Sequence, residues 1–189
     1  MLKRPVSLVN WHALSGCDTT GDLQGKSKTV CFKEFIDSQP IVSAIAQLGE
    51  GDEPSDSTIR GCAEYFCRLF SPKGVVIRGA AELRWYIFRQ LKEDQRVEKL
   101  LPTAGTWKEH IRRAHLQAHV WAQDLCLQPD VLDPNTLGWE TVDDRLRPVL
   151  TRVDLAPASI LQVVRCGCGR SATNPTSMIV LTQVFMQSK

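Results

Sequence analysis

Between residues 106 and 125 the apolar side chains Trp107, Ile111, Ala114, Ala118, Trp121 and Leu125 follow one another at spacings of four and three. That is the period of an α-helix, so the six share one face and the segment must bury a single stripe. Thr106 and Glu109 read as a Thr-x-x-Glu capping box at its start. Lys108, His110, Arg112, Arg113, His115 and His119 fall on the other faces and read as a solvated surface. His115 and His119 lie one turn apart, within reach of one metal ion, but no Glu follows the first His as the zinc-protease motif requires. A solvated face is therefore the favoured reading of the pair. Arg112 and Arg113 are also candidate phosphate contacts, on charge alone.

Such a stripe needs other apolar faces to pack against. Residues 57–70 offer Ile59, Cys62, Phe66 and Leu69 or Phe70 at helical spacing, with Ser57 or Asp56 as the cap and Pro72 as the stop. Residues 80–91 offer Leu83, Ile87 and Leu91, with Trp85 and Phe88 on the flanks. Cys62 and Cys67 are five apart and do not stack on one face, so they read as buried thiols rather than a metal pair. Residues 74–78 read as a short strand or an extended connection.

The acidic, Pro-containing stretch EGDEPSDS, residues 50–57, reads as a solvated loop that ends a first unit at about residue 49. Residues 50–127 form a helical unit. Beyond them Pro129, Pro134, Gly138, Pro148 and Pro157, with Trp139 as an anchor, suggest extended chain over the helices and short strands near residues 147–153. This third region, residues 128–189, closes with the apolar residues 158–164, the pair Cys166 and Cys168, and an apolar run at 178–186.

Composition excludes more than it selects. A hydrophobic share of 43% with 23% charged residues describes an ordinary globular chain, long enough at 189 residues to bury a real core. A net charge of +2 is too small to be a nucleic-acid signature, so any contact with DNA or RNA has to be local. Seven cysteines, an odd number without a disulfide framework, read as reduced thiols of an intracellular protein. The run at 178–186 is broken by Thr182 and Gln183 and falls short of a membrane span.

Chemistry concentrates in residues 12–28, HALSGCDTTGDLQGKSK. Val6, Leu8, Val9 and Trp11 read as a short strand, which would place Asp18 just past a strand end, where α/β folds gather ligand groups. A carboxylate there is a candidate ligand for a hard cation such as Mg²⁺. Gly25 permits close backbone approach, and the amides of a helix beginning after it would face an anion, with Lys26, Ser27 and Lys28 alongside. The blander alternative is that Asp18 merely caps a turn and the lysines are solvated.

Gly16, Cys17 and Asp18, then Gly25, Lys26 and Ser27, then helices at residues 29–36 and 40–48, together resemble the flap endonuclease and PIN-like nucleases. In that family a Gly-x-Asp segment supplies a late metal-binding Asp, and a glycine loop opens a helix-turn-helix that grips the DNA backbone. The family usually has a second glycine where this chain has Ser27. A closer resemblance, over most of residues 11–170, is to a group of animal proteins of transposon-derived character. It is carried by HALSGCDTT, GKSK, CAEYFCRLF, LLPTAGTWKEHIRRAHLQAHVW and RCGC. In those proteins the Cys-x-Cys opens a zinc-binding tail similar to tesmin-type domains. Residues 169–189 contain neither Cys nor His, so the expectation is a diverged tail in which Cys166 and Cys168 form no zinc site.

Two other readings of the same stretch compete. A P-loop needs a glycine where this chain has Thr20, directly after a strand. A lipoprotein signal at Leu14, Ser15, Gly16 and Cys17 lacks an adequate apolar region, because Pro5, Asn10, Trp11 and His12 interrupt it.

The expectation is thus a mainly α chain with a short β remnant, in which a partial PIN-like unit with a helix-turn-helix (residues 1–49) precedes a helical unit. Only 17 residues precede Asp18 and none is acidic, whereas a metal nuclease needs several converging carboxylates. The implied activity is weak, non-specific binding to a DNA or RNA backbone, with the nucleus as one candidate compartment. The alternatives are a protein-protein interaction module and a metal-dependent nuclease completed by a partner chain.

Overall fold

In the computed structural model, which describes residues 3–91 and 100–153, one helix runs through the middle of the packing. The described residues form six helices and one two-stranded sheet: α1 (Lys3–Ser15), α2 (Lys28–Ile36), α3 (Gln39–Ile45), α4 (Asp56–Phe70), α5 (Ala80–Gln90), α6 (Ala104–Ala122), β1 (Trp139–Val142) and β2 (Arg145–Pro148). Residues 1–152 make one compact unit. The apolar residues 158–164, Cys166, Cys168 and the run at 178–186 lie outside the described residues. No helix among the described residues is long and apolar enough to cross a membrane.

The chain around Val6 and Trp11 is helical and not the strand that its apolar residues suggest. Its buried positions include Ser7, Asn10, Trp11 and Leu14 at helical spacing, with Ala13 and Ser15 beside them, so three of these six are polar, while Val6, Leu8 and Val9 face outward. Asn10 is buried because it has work among the α3 carbonyls. Its amide donates to Ile45 O (3.2 Å), Ala46 O (3.2 Å) and Leu48 O (2.8 Å), carbonyls at and just past the end of that helix. Trp11 Nε1 donates to Tyr65 Oη (3.1 Å), and that hydroxyl donates to Cys31 O (2.9 Å), so one polar relay ties α1 to α4 and α2.

Helices α2 and α3 lie near residues 29–36 and 40–48, where the sequence predicts helices, with α3 ending earlier, at Ile45. Ser27 caps α2, and Pro40 sits in the first turn of α3, where its missing N–H costs nothing. Helix α4 begins one residue earlier than Asp56 as cap would have it, and two earlier than Ser57, because Ser55 is the cap and accepts from Thr58 N. It buries Cys62, Tyr65, Phe66, Cys67 and Leu69, and both thiols are free. Full burial pushes the Cys62 thiol up to about 12, which suits an inert apolar side chain. Residues 75–79 are an extended connection with no strand partner. Helix α5 buries only Leu83, and Trp85 and Phe88 stack at 5.7 Å between ring centroids while facing outward.

Helix α6 is packed on nearly every side. Trp107, Ile111, Ala114 and Ala118 are buried and Trp121 is half-buried, while Leu125 lies beyond the helix end and is exposed. The cap is Thr103, which accepts from Thr106 N, and not the Thr106–Glu109 box. Glu109 instead turns inward, 2% exposed, to Arg112 (3.0 Å) and Arg152 (3.4 Å). The solvated polar face is also overturned: His110, Arg113 and His115 are buried. Arg113 Nη1 donates to Gly138 O (3.0 Å) and Val149 O (2.7 Å), clamping the two ends of the β-hairpin onto α6. The hairpin lies slightly ahead of residues 147–153. Asp143 and Asp144 take φ of 51° and 57°, the two left-handed residues of a tight primed turn, and Trp139 pairs with Pro148 at the open end.

Candidate functional site at the start of α2

The segment GCDTT closes the C-terminal end of α1. Thr20 Oγ1 is buried and donates to Ala13 O (2.6 Å), and Cys17 N donates to Thr20 O (3.1 Å), so the chain folds back under the helix end. Partial burial of the Cys17 thiol disfavours its charged form. Hydrogen bonds from Thr19 and Thr20 outweigh that and hold it below the usual thiol range. Asp18 sits at the exposed tip of this turn, after a helix and not after a strand. No group of three or more His, Cys, Asp or Glu side chains among the described residues is placed to hold a metal ion. Glu34 and Asp37 are paired with Arg68 (2.6 and 3.2 Å), and Glu53 lies 3.8 Å from Arg112. Asp18 by itself does not fit a catalytic Mg²⁺ centre, which needs further ligand oxygens.

Gly25 takes a φ of +72°, is exposed, and has no atom within 4 Å of where a Cβ would stand. That leaves the backbone open to close approach, as the glycine position required. Ser27 Oγ accepts from Val30 N (3.4 Å), which leaves the Lys28 and Thr29 amides at the open end of α2 without an intrahelical acceptor. Ser27, Lys28 and Thr29 are all exposed.

The two lysines are not simply solvated. Lys26 Nζ lies 5.0 Å over the ring of Phe70. Lys28 Nζ turns back over Trp11 (5.3 Å) and donates to Ser15 Oγ (2.9 Å), Gly16 O and His12 Nδ1 (3.1 Å). Its three protons therefore hold the α1 terminus. Desolvation lowers its pKa, opposed by the nearby Asp22 and Cys17. The structure thus brings Gly25, Lys26, Ser27 and Lys28 together at one helix start and leaves Asp18 on a separate turn. Missed from sequence were His12, Ser15 and Trp11 as the seat of Lys28, and Trp121, whose ring stacks on His12 at 5.7 Å and 7°. Only an i, i+3 and i+4 reading of residues 11–15 as helix would have suggested that grouping.

His115 and His119 clamp a turn rather than a metal. Gly49 N donates to His115 Nδ1 (3.1 Å), so His115 Nε2 carries the proton and donates to Gly51 O (3.0 Å). His119 Nδ1 donates to Gly49 O (3.1 Å). Burial lowers the His115 pKa, in keeping with a neutral ring. Compared with protein families, curated proteins and solved structures, the chain matches none of them.

Proposed function

We propose that the chain binds the sugar-phosphate backbone of DNA or RNA, weakly and without reading sequence, through the start of α2. The observation that carries this reading is the exposed helix start with two outward amides, preceded by an unobstructed glycine and flanked by Lys26 and Lys28. A helix N-terminus attracts anions through those amides and its dipole. Lys26 supplies a cation from over the Phe70 ring, whereas Lys28 contributes charge without free protons. The relation of α2 and α3 to the flap endonuclease helix-turn-helix, a transposon-derived origin and a nuclear setting belong to the same proposal.

The test is fluorescence anisotropy with oligonucleotides of unrelated sequence over a salt series. Lys26→Ala and Thr29→Glu should weaken binding to all of them about equally, and Lys26→Ala should reduce the salt slope by roughly one contact. Binding that is unchanged, or lost for one sequence only, overturns the proposal. A second reading, a protein interaction module, is favoured by the stacked Trp85 and Phe88 on α5, with Trp85 60% exposed. Association through that face would persist at high salt. A nuclease would need carboxylates from another chain beside Asp18. The purified chain is expected to show no Mg²⁺-dependent cleavage, and cleavage abolished by Asp18→Ala would refute that.

A further inference from the structure

Leu8, Val9, Trp11, His12 and Trp121 line an open groove of about 400 Å³ between α1 and the end of α6. Its walls are apolar and aromatic, and the His12 and Trp121 rings lie parallel, 5.7 Å apart with 7° between their planes, so a further ring can extend the stack. The His12 ring cannot turn freely, since Lys28 Nζ holds its Nδ1 at 3.1 Å. A cation therefore stands at the rim, and the residue that carries it is the first of α2. Groove and helix start are joined by a single lysine side chain.

We infer that this groove takes an unpaired nucleobase of a single-stranded nucleic acid, stacked on the His12 and Trp121 pair, while the adjoining phosphate lies at the start of α2. The inference rests on the backbone-binding reading above and adds a strand preference to it. A base in a duplex is stacked on its neighbours and cannot enter a groove, whereas an unpaired base gains from an aromatic platform regardless of its identity. Charge complementarity separates this occupant from an apolar protein side chain, which would gain nothing from Lys28 at the rim.

The test compares labelled oligothymidylate with a duplex of equal length. Wild-type chain should prefer the single strand. Trp121→Leu keeps apolar volume but removes the platform, and should weaken single-strand binding about tenfold with duplex binding unchanged. Trp121→Phe should restore most of it, and thermal unfolding of each variant establishes that it is folded. Lys26→Ala should weaken both ligands alike. Equal wild-type binding to the two ligands, or a Trp121→Leu variant that retains its single-strand affinity, overturns the groove assignment and leaves the backbone reading standing. Binding to neither ligand overturns both. Concentration-dependent self-association that Trp121→Leu abolishes, without single-strand binding, would make the groove a protein interface instead.

Discussion

Lys28 shows how a residue chosen for its charge can be used for something else. A solvated lysine at a helix start would be replaceable, but this one donates to Ser15, Gly16 and His12 at the close of α1. Lys28→Ala should therefore cost stability as well as charge, on the order of 1–2 kcal/mol in urea unfolding, since it leaves terminal acceptors open. Lys26→Ala, in contrast, should unfold close to the wild-type midpoint. His110 makes a sharper prediction. Burial lowers its pKa to about 4, against a partly compensating bond from Nε2–H to Leu14 O and with Arg113 adding to the depression. The unfolded ring, near the ordinary histidine value of 6.5, binds a proton that the folded one refuses. Stability from this group is thus complete above about pH 6.5 and is lost as pH falls toward 4, by about 3 kcal/mol in total. Denaturant titrations from pH 7 to 4 should show a steep decline that His110→Gln flattens. At Gly49 a φ of +84° and a Cβ position 2.8 Å from His119 N rule out a side chain. Gly49→Ala should cost on the order of 1–3 kcal/mol by loosening the turn from the His115 and His119 clamp.

Among the elements, α6 was the most legible and also the most misjudged. Its apolar stripe repeats at helical spacing, so its existence and buried face follow from Trp107 through Ala118 alone. Trp107→Ala should cost about 3–5 kcal/mol by thermal or urea unfolding, because that ring is packed against Phe66 at 5.0 Å. From sequence its polar side reads as solvated, because nothing local reveals that residues 49–51 and 138–149 come back over it. Arg113 is the clearest instance: its partners are 25 and 36 residues away. Arg113→Met should remove its bonds to both carbonyls, leaving Gly138 O only the one from Val149 N (2.9 Å), and raise amide exchange across β1 and β2, with α4 little affected. Helix α1 failed for the opposite reason. Val6, Leu8 and Val9 are conspicuous but outward-facing, while the buried face holds Ser7 and Asn10, which no hydrophobic pattern can flag.

At the scale of the whole molecule, one core among the described residues runs from Trp11 in α1 to Ala118 in α6, so the first three helices and the later ones share buried surface. The periodicity of apolar residues sufficed for a mainly helical chain and for α4 through α6, and glycine and helix-start chemistry for Gly25 and Ser27 as the approach to α2. Those features depend on residues within a few positions of one another, and local propensity, capping and spacing govern them. What the tertiary structure alone decided is which polar groups go inside and which cations stay available. Asn10 on α3, Arg113 on the hairpin, the histidine clamp at Gly49 and Lys28 on the end of α1 all pair groups far apart in the chain. A buried polar side chain is tolerated only where distant backbone groups complete its hydrogen bonds, and its fate is settled only once those groups are brought to it.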